Sequence, residues 1–543
     1  MAPMWQQKSE EARGAVLAKI PKEWLLPASI LSSLPLDVNP LFKSCGLLSD
    51  QDLEITDADD VTKILERIRS KEWSAKDVTI AFCKRAAIAH QLVNCLMDID
   101  FEGAIKRASE LDDHLAKTGQ VVGPLHGLPV SLKDLTAVKG MRYSIGFAVW
   151  GDCKSDNDAW IVQSLRKAGA VVYVKTTMPQ TGMALETTSN LWGRTLNPFN
   201  SKLSPGGSSG GEGALVGCHG SPIGIATDIG GSIRAPAAFN GLYSIKPSSR
   251  RCSYLGSIVP VPGQIAIPSA IGPVGRSLRD LELICKTWTD DEPWRMDPSI
   301  VPKPWIKQDP PRKVTIGVIA FDEVVMPHPP VQRALRETIE KLKAAGHEVV
   351  EMKPYKHGYS WEITRPLYFP TAARQHKEFL AQTGEPMIPG AEKLIAGLKE
   401  LSVPELMSLQ AEQVAYQVAY LKHWESTASI TSTGKPVDAI LTPSSACASY
   451  PHDWLLWWGY FSVWNLLNYP AITLPVGKVD KNIDKADPTY KPVNDTWDKE
   501  NYEIYDPELF HGAPISLQLV GRYLEEEKLF AVAETIDRDA IRK

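Results

Sequence analysis

The chain has 543 residues, of which 43% are hydrophobic and 23% charged, an ordinary globular balance. Its formal net charge is −5, so electrostatics gives no reason to expect a nucleic-acid partner, which would favour a basic domain. Eight cysteines lie scattered, with no C-x-x-C pair. That spacing argues against a disulfide framework or a zinc site and for reduced, packed thiols in an intracellular protein.

In chain order, residues 1–55 read as a helical lead-in followed by a proline-bearing connection, ahead of one large unit over 56–543. The opening MAPMWQQKSEEARG is charged and lacks an apolar signal core. No run of 18 apolar residues occurs, so no membrane span is expected, and the cytoplasm is the default location. After Asp57, the residues Val61, Ile64, Leu65 and Ile68 fall on one face of a 3.6-residue period and predict a helix. The next helix begins at Ser74-Ala-Lys-Asp77, a capping-box pattern, and is expected to run through VTIAFCKRAAIAHQLVNCL.

Two later stretches share a shape. Ile161–Ala168 predicts a helix, Gly169 ends it, and AVVYV follows as a buried strand. VTIGVIAF (Val314–Phe321) predicts a strand, Val331–Ala345 a helix ended by Gly346, and HEVVEM another strand. Strands alternating with helices predict an α/β protein whose mixed, partly parallel sheet is covered by helices on both faces. The proline- and charge-rich segments Pro302–Pro311 and Asp480–Tyr505 read as surface excursions. No internal repeat and no clear linker divides the chain.

The segment Ser204–Gly241 differs from the rest. It is rich in glycine and almost free of long charged side chains, a composition poor for helix or strand interiors and suited to a backbone passing close to something. A flexible linker is the bland explanation, but apolar residues are interleaved throughout. A P-loop would need Lys where Glu212 stands, and a G-x-G-x-x-G fingerprint lacks its third glycine at Val216. Gly206-Gly-Ser208-Ser-Gly210 matches the G-x-S-x-G nucleophile elbow, but NPFNSKLSP before it reads as loop rather than strand. Upstream, GPLHGLPVSLKDL sets Lys133 among apolar residues. Burial would favour a neutral, basic amine there. The local pattern alone favours the blander outcome, in which Lys133 pairs with Asp134 or reaches to the surface.

Three blocks, GPLHGLPVSLKD (123–134), the Gly/Ser segment (205–247) and PISLQLVGR (514–522), resemble the amidase signature family, with NYPAITLPVG (468–477) as a weaker fourth. Within it the chain is most similar to acetamidases and general amidases of the fungal type. The resemblance implies one α/β/α domain and a Ser–cis-Ser–Lys triad, with Ser232 as nucleophile, Ser208 as bridging serine and Lys133 as base. It implies an acyl-enzyme formed from a small-molecule monocarboxylic amide, with no cofactor and no metal. Ile229, Gly230, Gly231 and Ser232 can offer successive backbone N–H groups to an oxyanion. Asp228 and Arg234 would hold that turn, and Ser209 would help orient the relay. Met183 aligns with a family position near the acyl group, though a packing role fits a methionine equally well. The aromatic run Trp454–Trp464 reads as core, pocket wall or apolar acyl channel. The resemblance favours a homodimer. A lipid-amide hydrolase, an amidotransferase subunit that feeds ammonia to mischarged tRNA, and a Ser-His esterase using the elbow match are the rival activities.

Overall fold

The computed structural model describes residues 3–542. Its centre is an eleven-stranded sheet. In chain order the strands are β1 (Leu96–Ile99), β2 (Pro129–Lys133), β3 (Val171–Thr176), β4 (Ile223–Asp228), β5 (Tyr243–Lys246) and β6 (Ala270–Gly275). They continue as β7 (Thr315–Val318), β8 (Glu348–Glu351), β9 (Ala439–Pro443), β10 (Ala471–Lys478) and β11 (Pro514–Val520). Their order across the sheet is β1-β3-β2-β4-β6-β5-β10-β11-β9-β7-β8. The pairs β2/β3, β2/β4, β7/β9 and β7/β8 are parallel and the others antiparallel. The sheet is therefore mixed and partly parallel. Its inner strands are buried at every residue, as expected when helices cover both faces.

The local signals account for most elements. Asp60 caps the helix Val61–Arg69, and Val61, Ile64, Leu65 and Ile68 are its buried face. Ser74 accepts from the Asp77 amide to start the helix Ala75–Val93. That helix stops three residues before the expected Leu96. Asn94 takes a left-handed conformation (φ 52°), which ends a helix as glycine does, and Leu96 opens β1. The helix Trp160–Lys167 and the helix Pro329–Ala344 are each followed by a left-handed glycine, Gly169 and Gly346, and then by a strand. In the lead-in, the helix Met4–Leu17 buries Ala12 and Val16 in the main core.

Two expectations need revision. Residues 204–241 contain the helix Gly210–Gly217, strand β4 and the helix Arg234–Phe239. Glycine is tolerated in the first of these because the helix lies directly on the sheet. A Cβ at Gly211 would sit 2.6 Å from the backbone N and O of Thr177. Tertiary packing there outweighs intrinsic propensity. The excursion 480–505 also carries structure: the helix Trp497–Glu503, and Asp484, which pairs with Arg333 at 2.7 Å.

Candidate active site

Parallel strands β2 and β4 lie side by side, and their carboxyl ends carry Lys133 and Asp228. In open α/β sheets this edge is where ligands bind. Strand alternation sends Ser131 and Lys133 to one face. There they meet the segment that runs through Ser208 into the helix Gly210–Gly217. Lys133 is wholly buried. Its Nζ lies 2.8 Å from Ser208 Oγ, 2.9 Å from Thr227 Oγ1 and 3.4 Å from the Thr227 carbonyl. Asp134 is not its partner, because that carboxylate accepts from the amide and hydroxyl of Ser144. The local expectation of a Lys133–Asp134 pair or a surface lysine is thus overturned by the sheet, which encloses Lys133 and points Asp134 elsewhere.

Burial lowers Lys133 to about 7, against the opposing pull of Asp228, Asp134 and Glu212. Glu212 is buried on the same helix and accepts from Ser131 Oγ at 2.5 Å and Thr176 Oγ1 at 2.8 Å. Burial pushes its carboxyl up to about 7. Near neutral pH this pair can therefore exist uncharged. A neutral amine has two N–H donors and one lone pair. The two oxygens of Thr227 can take the donors, leaving the lone pair for Ser208. The peptide bond preceding Ser208, from Gly207, is cis. Ser209 is buried and donates to the Thr227 carbonyl at 3.4 Å.

Ser232 follows β4 in a tight turn. Gly231 has φ of 125°, and a Cβ there would meet Phe461 at 2.8 Å, so both conformation and space require glycine. Asp228 fastens the turn. Its Oδ1 accepts from Gly231 N at 2.8 Å and Asn465 Nδ2 at 2.9 Å, and its Oδ2 accepts from Ile233 N at 3.2 Å. Arg234 completes the set with Nε to Oδ2 at 3.0 Å and Nη2 to Oδ1 at 3.1 Å. Burial opposes ionisation of Asp228, but Arg234 outweighs it and holds the carboxyl well below the usual range. Arg234 also donates to Asn465 Oδ1, the Phe461 carbonyl and Gln518.

This bonding corrects one expectation. The Gly231 N–H is committed to Asp228 and is not free for an oxyanion. The amides of Ile229, Gly230 and Ser232 donate to no other backbone group among the described residues. Tyr368 donates to the Ile229 carbonyl at 2.8 Å and ties the turn to the wall behind it.

Ser208, Ser232, Ile229 and Met183 all line one cavity of about 110 Å³. No hydrogen bond joins Ser208 to Ser232 among the described residues; the two hydroxyls share the cavity, while the Lys133–Ser208 link is formed. The run Trp454–Trp464 contributes no lining residue. Trp458 instead packs on Gly230 and Phe461 on Gly231, as a buried backing for the turn. The sequence did not single out Thr227, Glu212, Asn465, Gln518, Tyr368 or His376. Only Thr227 carried a usable signal, as the strand residue beside Asp228.

Comparison with known proteins gives the family and the fold. The family model described as Amidase matches residues 77–530. An amidase of Gibberella zeae is 44% identical, the match covering 98% of each chain. The acetamidase of Emericella nidulans is 39% identical over 99% of this chain and 98% of its own. The solved structure of a fatty acid amide hydrolase superposes with a TM-score of 0.92 at 33% identity, covering 98% of this chain and 95% of that one. By family match, by relatives along nearly its whole length and by fold, this chain belongs to the amidase family.

Proposed function

We propose that this amidase cleaves monocarboxylic acid amides to the acid and ammonia or an amine, through an acyl-enzyme on Ser232. The observation that carries the reading is the 2.8 Å contact between buried Lys133 Nζ and Ser208 Oγ, with the lysine lowered to about 7. A serine hydroxyl becomes a strong nucleophile only when a base takes its proton. In this scheme Ser208 closes on Ser232, receives that proton and passes its own to neutral Lys133. Ser232 Oγ bonds to the amide carbon, and the carbonyl electron pair moves onto oxygen. The oxyanion is held by the amides of Ile229, Gly230 and Ser232, each such donor contributing on the order of 3 kcal/mol to the rate. The proton returns from Lys133 through Ser208 to the leaving nitrogen, and the C–N bond breaks. Water then repeats the relay and releases the acid. Asp228 and Arg234 keep the turn in shape, and Ser209 braces the Thr227 carbonyl beside the lysine.

The cavity volume bears on substrate size. A cavity of about 150 Å³ admits benzene, and this one is of that order at about 110 Å³. Short or aromatic carboxamides fit that scale better than a long acyl chain. The likeness to a fatty acid amide hydrolase favours the rival lipid-amide reading. Turnover of acetamide, benzamide and a long-chain amide compared side by side separates the two, and a preference for the long chain would reject the small-amide reading. A Ser-His esterase would need a histidine oriented by a carboxylate. Neither ring nitrogen of His376, which lines the cavity, has a hydrogen-bond partner among the described residues. A cytoplasmic setting suits the eight unpaired thiols, and no described helix is long and apolar enough to cross a membrane. The expected homodimer rests on family resemblance and is testable by sedimentation. Labelling with a fluorophosphonate and mapping the adduct tests the mechanism; an adduct on Ser208 or elsewhere, with Ser232 unmodified, would overturn it.

A further inference from the structure

Six histidines are buried among the described residues, and five have at least one ring nitrogen engaged. His90 Nδ1 accepts from the Leu96 amide, His126 Nδ1 from Val122, and His347 Nδ1 from Val314. His328 bonds the Asn501 carbonyl, and His357 meets the Tyr420 hydroxyl. His376 differs. It is 4% exposed, and neither Nδ1 nor Nε2 has a partner. It stands on the helix Arg374–Ala381, between Phe147 and Phe369, whose rings lie 6.2 and 5.9 Å away. It lines the cavity that holds Ser208 and Ser232, and also the adjoining recess shared with Thr181 and Met183.

Buried polar groups are normally hydrogen-bonded, and an unpaired one is costly. A neutral imidazole offers one donor and one acceptor. The cavity wall combines apolar residues such as Leu135, Ile145, Met178 and Ile258 with polar ones that include Tyr254, Gln264 and Ser269. In such pockets a few polar groups fix orientation and specificity. We propose that His376 is a specificity-determining residue that hydrogen-bonds a neutral polar substituent, a hydroxyl or a carboxamide, carried by the substrate away from the scissile amide. This rests on the reading of the Ser208–Ser232 cavity as the active site. A hydroxyl or carboxamide can both give and accept a hydrogen bond, as the ring requires. A carboxylate is a poor match, because no lysine or arginine lines the cavity. Burial also lowers His376 to about 4, so the ring stays neutral near pH 7.

The test uses the full chain and two series of linear primary amides of equal length, one ending in a hydroxyl and one in a methyl, with ammonia release as the readout. At one chain length the wild-type kcat/KM for the hydroxylated amide should exceed that for its methyl counterpart by about tenfold, the scale of one neutral hydrogen bond gained. His376→Phe keeps an aromatic ring but removes both polar atoms, and should bring that ratio to about one. His376→Gln, which retains a donor and an acceptor, should restore part of it. Comparing ratios between variants cancels the intrinsic reactivity of each amide. The same ratio in wild type and His376→Phe, or no preference at any length, overturns the inference and leaves a packing histidine. Loss of all turnover in a folded His376→Phe would mean that the ring takes part in the chemistry, and would overturn this inference together with the lysine relay. If neither series is hydrolysed while fluorophosphonate still labels Ser232, the substituent inference fails and the site reading stands. Absence of that label would overturn the site reading itself.

Discussion

Among the cations buried beside the turn that carries Ser232, Arg234 and Lys133 have been treated by burial in opposite ways. Arg234 lies against a carboxylate with two parallel hydrogen bonds, and an amide side chain and a carbonyl take more of its donors. Lys133 meets only hydroxyls and a carbonyl, with no ion pair. Guanidinium stays charged in proteins, and its planar fork suits a bidentate partner. An ammonium without such a partner loses its proton as desolvation raises the cost of the charge. In the proposed mechanism one buried cation serves as an anchor and the other as a base, and the difference lies in their partners rather than in their depth.

Several substitutions press on this contrast. The largest loss should come at the proposed nucleophile. Ser232→Ala should lower kcat by about 10⁴-fold or more, as removal of a catalytic nucleophile does elsewhere. Its thermal midpoint should stay close to wild type, and retention of most activity would remove Ser232 from the mechanism. Next, Lys133→Ala should lower kcat by roughly 10²- to 10⁴-fold, the usual range for a general base. Lys133→Arg should be no better, because a guanidinium cannot become neutral. An active Lys133→Arg enzyme would show that charge, not basicity, is what the site needs.

Asp228→Asn tests the anchor. It leaves Arg234 buried and unpaired, which should cost about 3–5 kcal/mol in urea unfolding. Asp228 is held well below its ordinary value in the folded state. Its contribution to stability is therefore present above the unfolded carboxylate value and lost as pH falls below it. The lysine gives a slope of the same sign in a higher window. Its folded value is depressed to about 7, so the unfolded chain binds more protons between there and the ordinary lysine range, and stability from this group rises with pH across that window. The same depression sets activity. The rate should climb with pH up to about 7 and then level, with an apparent value shared between Lys133 and the nearby Glu212. A pH profile flat from 5 to 9 would break the relay. The smallest effect is expected at Met183, where Met183→Leu conserves volume and should change kcat/KM on a short amide by about threefold or less.

Much of the fold was legible. Period and punctuation located the helices around Val61, Trp160 and Pro329 and the strands that follow the last two, because each signal is local. The error after Val93 shows the limit of such reasoning: Asn94 ends that helix in a left-handed turn, and asparagine is a weaker stop signal than glycine. The glycine-rich centre misled for a different reason. Gly211 sits in a helix because the Thr177 backbone leaves no room for a side chain, and that neighbour is far away in sequence. The tryptophan-rich run was legible as core, but its place behind Gly230 and Gly231 was not.

By itself the sequence determined the family, the α/β alternation and the identity of the three residues proposed to react, since the blocks around Lys133, Ser208 and Ser232 are contiguous and specific. Only the tertiary structure decided their electrostatic state. Local pattern favoured a Lys133–Asp134 pair or a lysine reaching the surface, and the sheet instead points Asp134 toward Ser144 and encloses Lys133 with Thr227 and Ser208. It also decided which turn amides are available, because Asp228 claims that of Gly231. Charge state and hydrogen-bond capacity depend on every group within a few ångströms, and most of those groups come from distant parts of the chain.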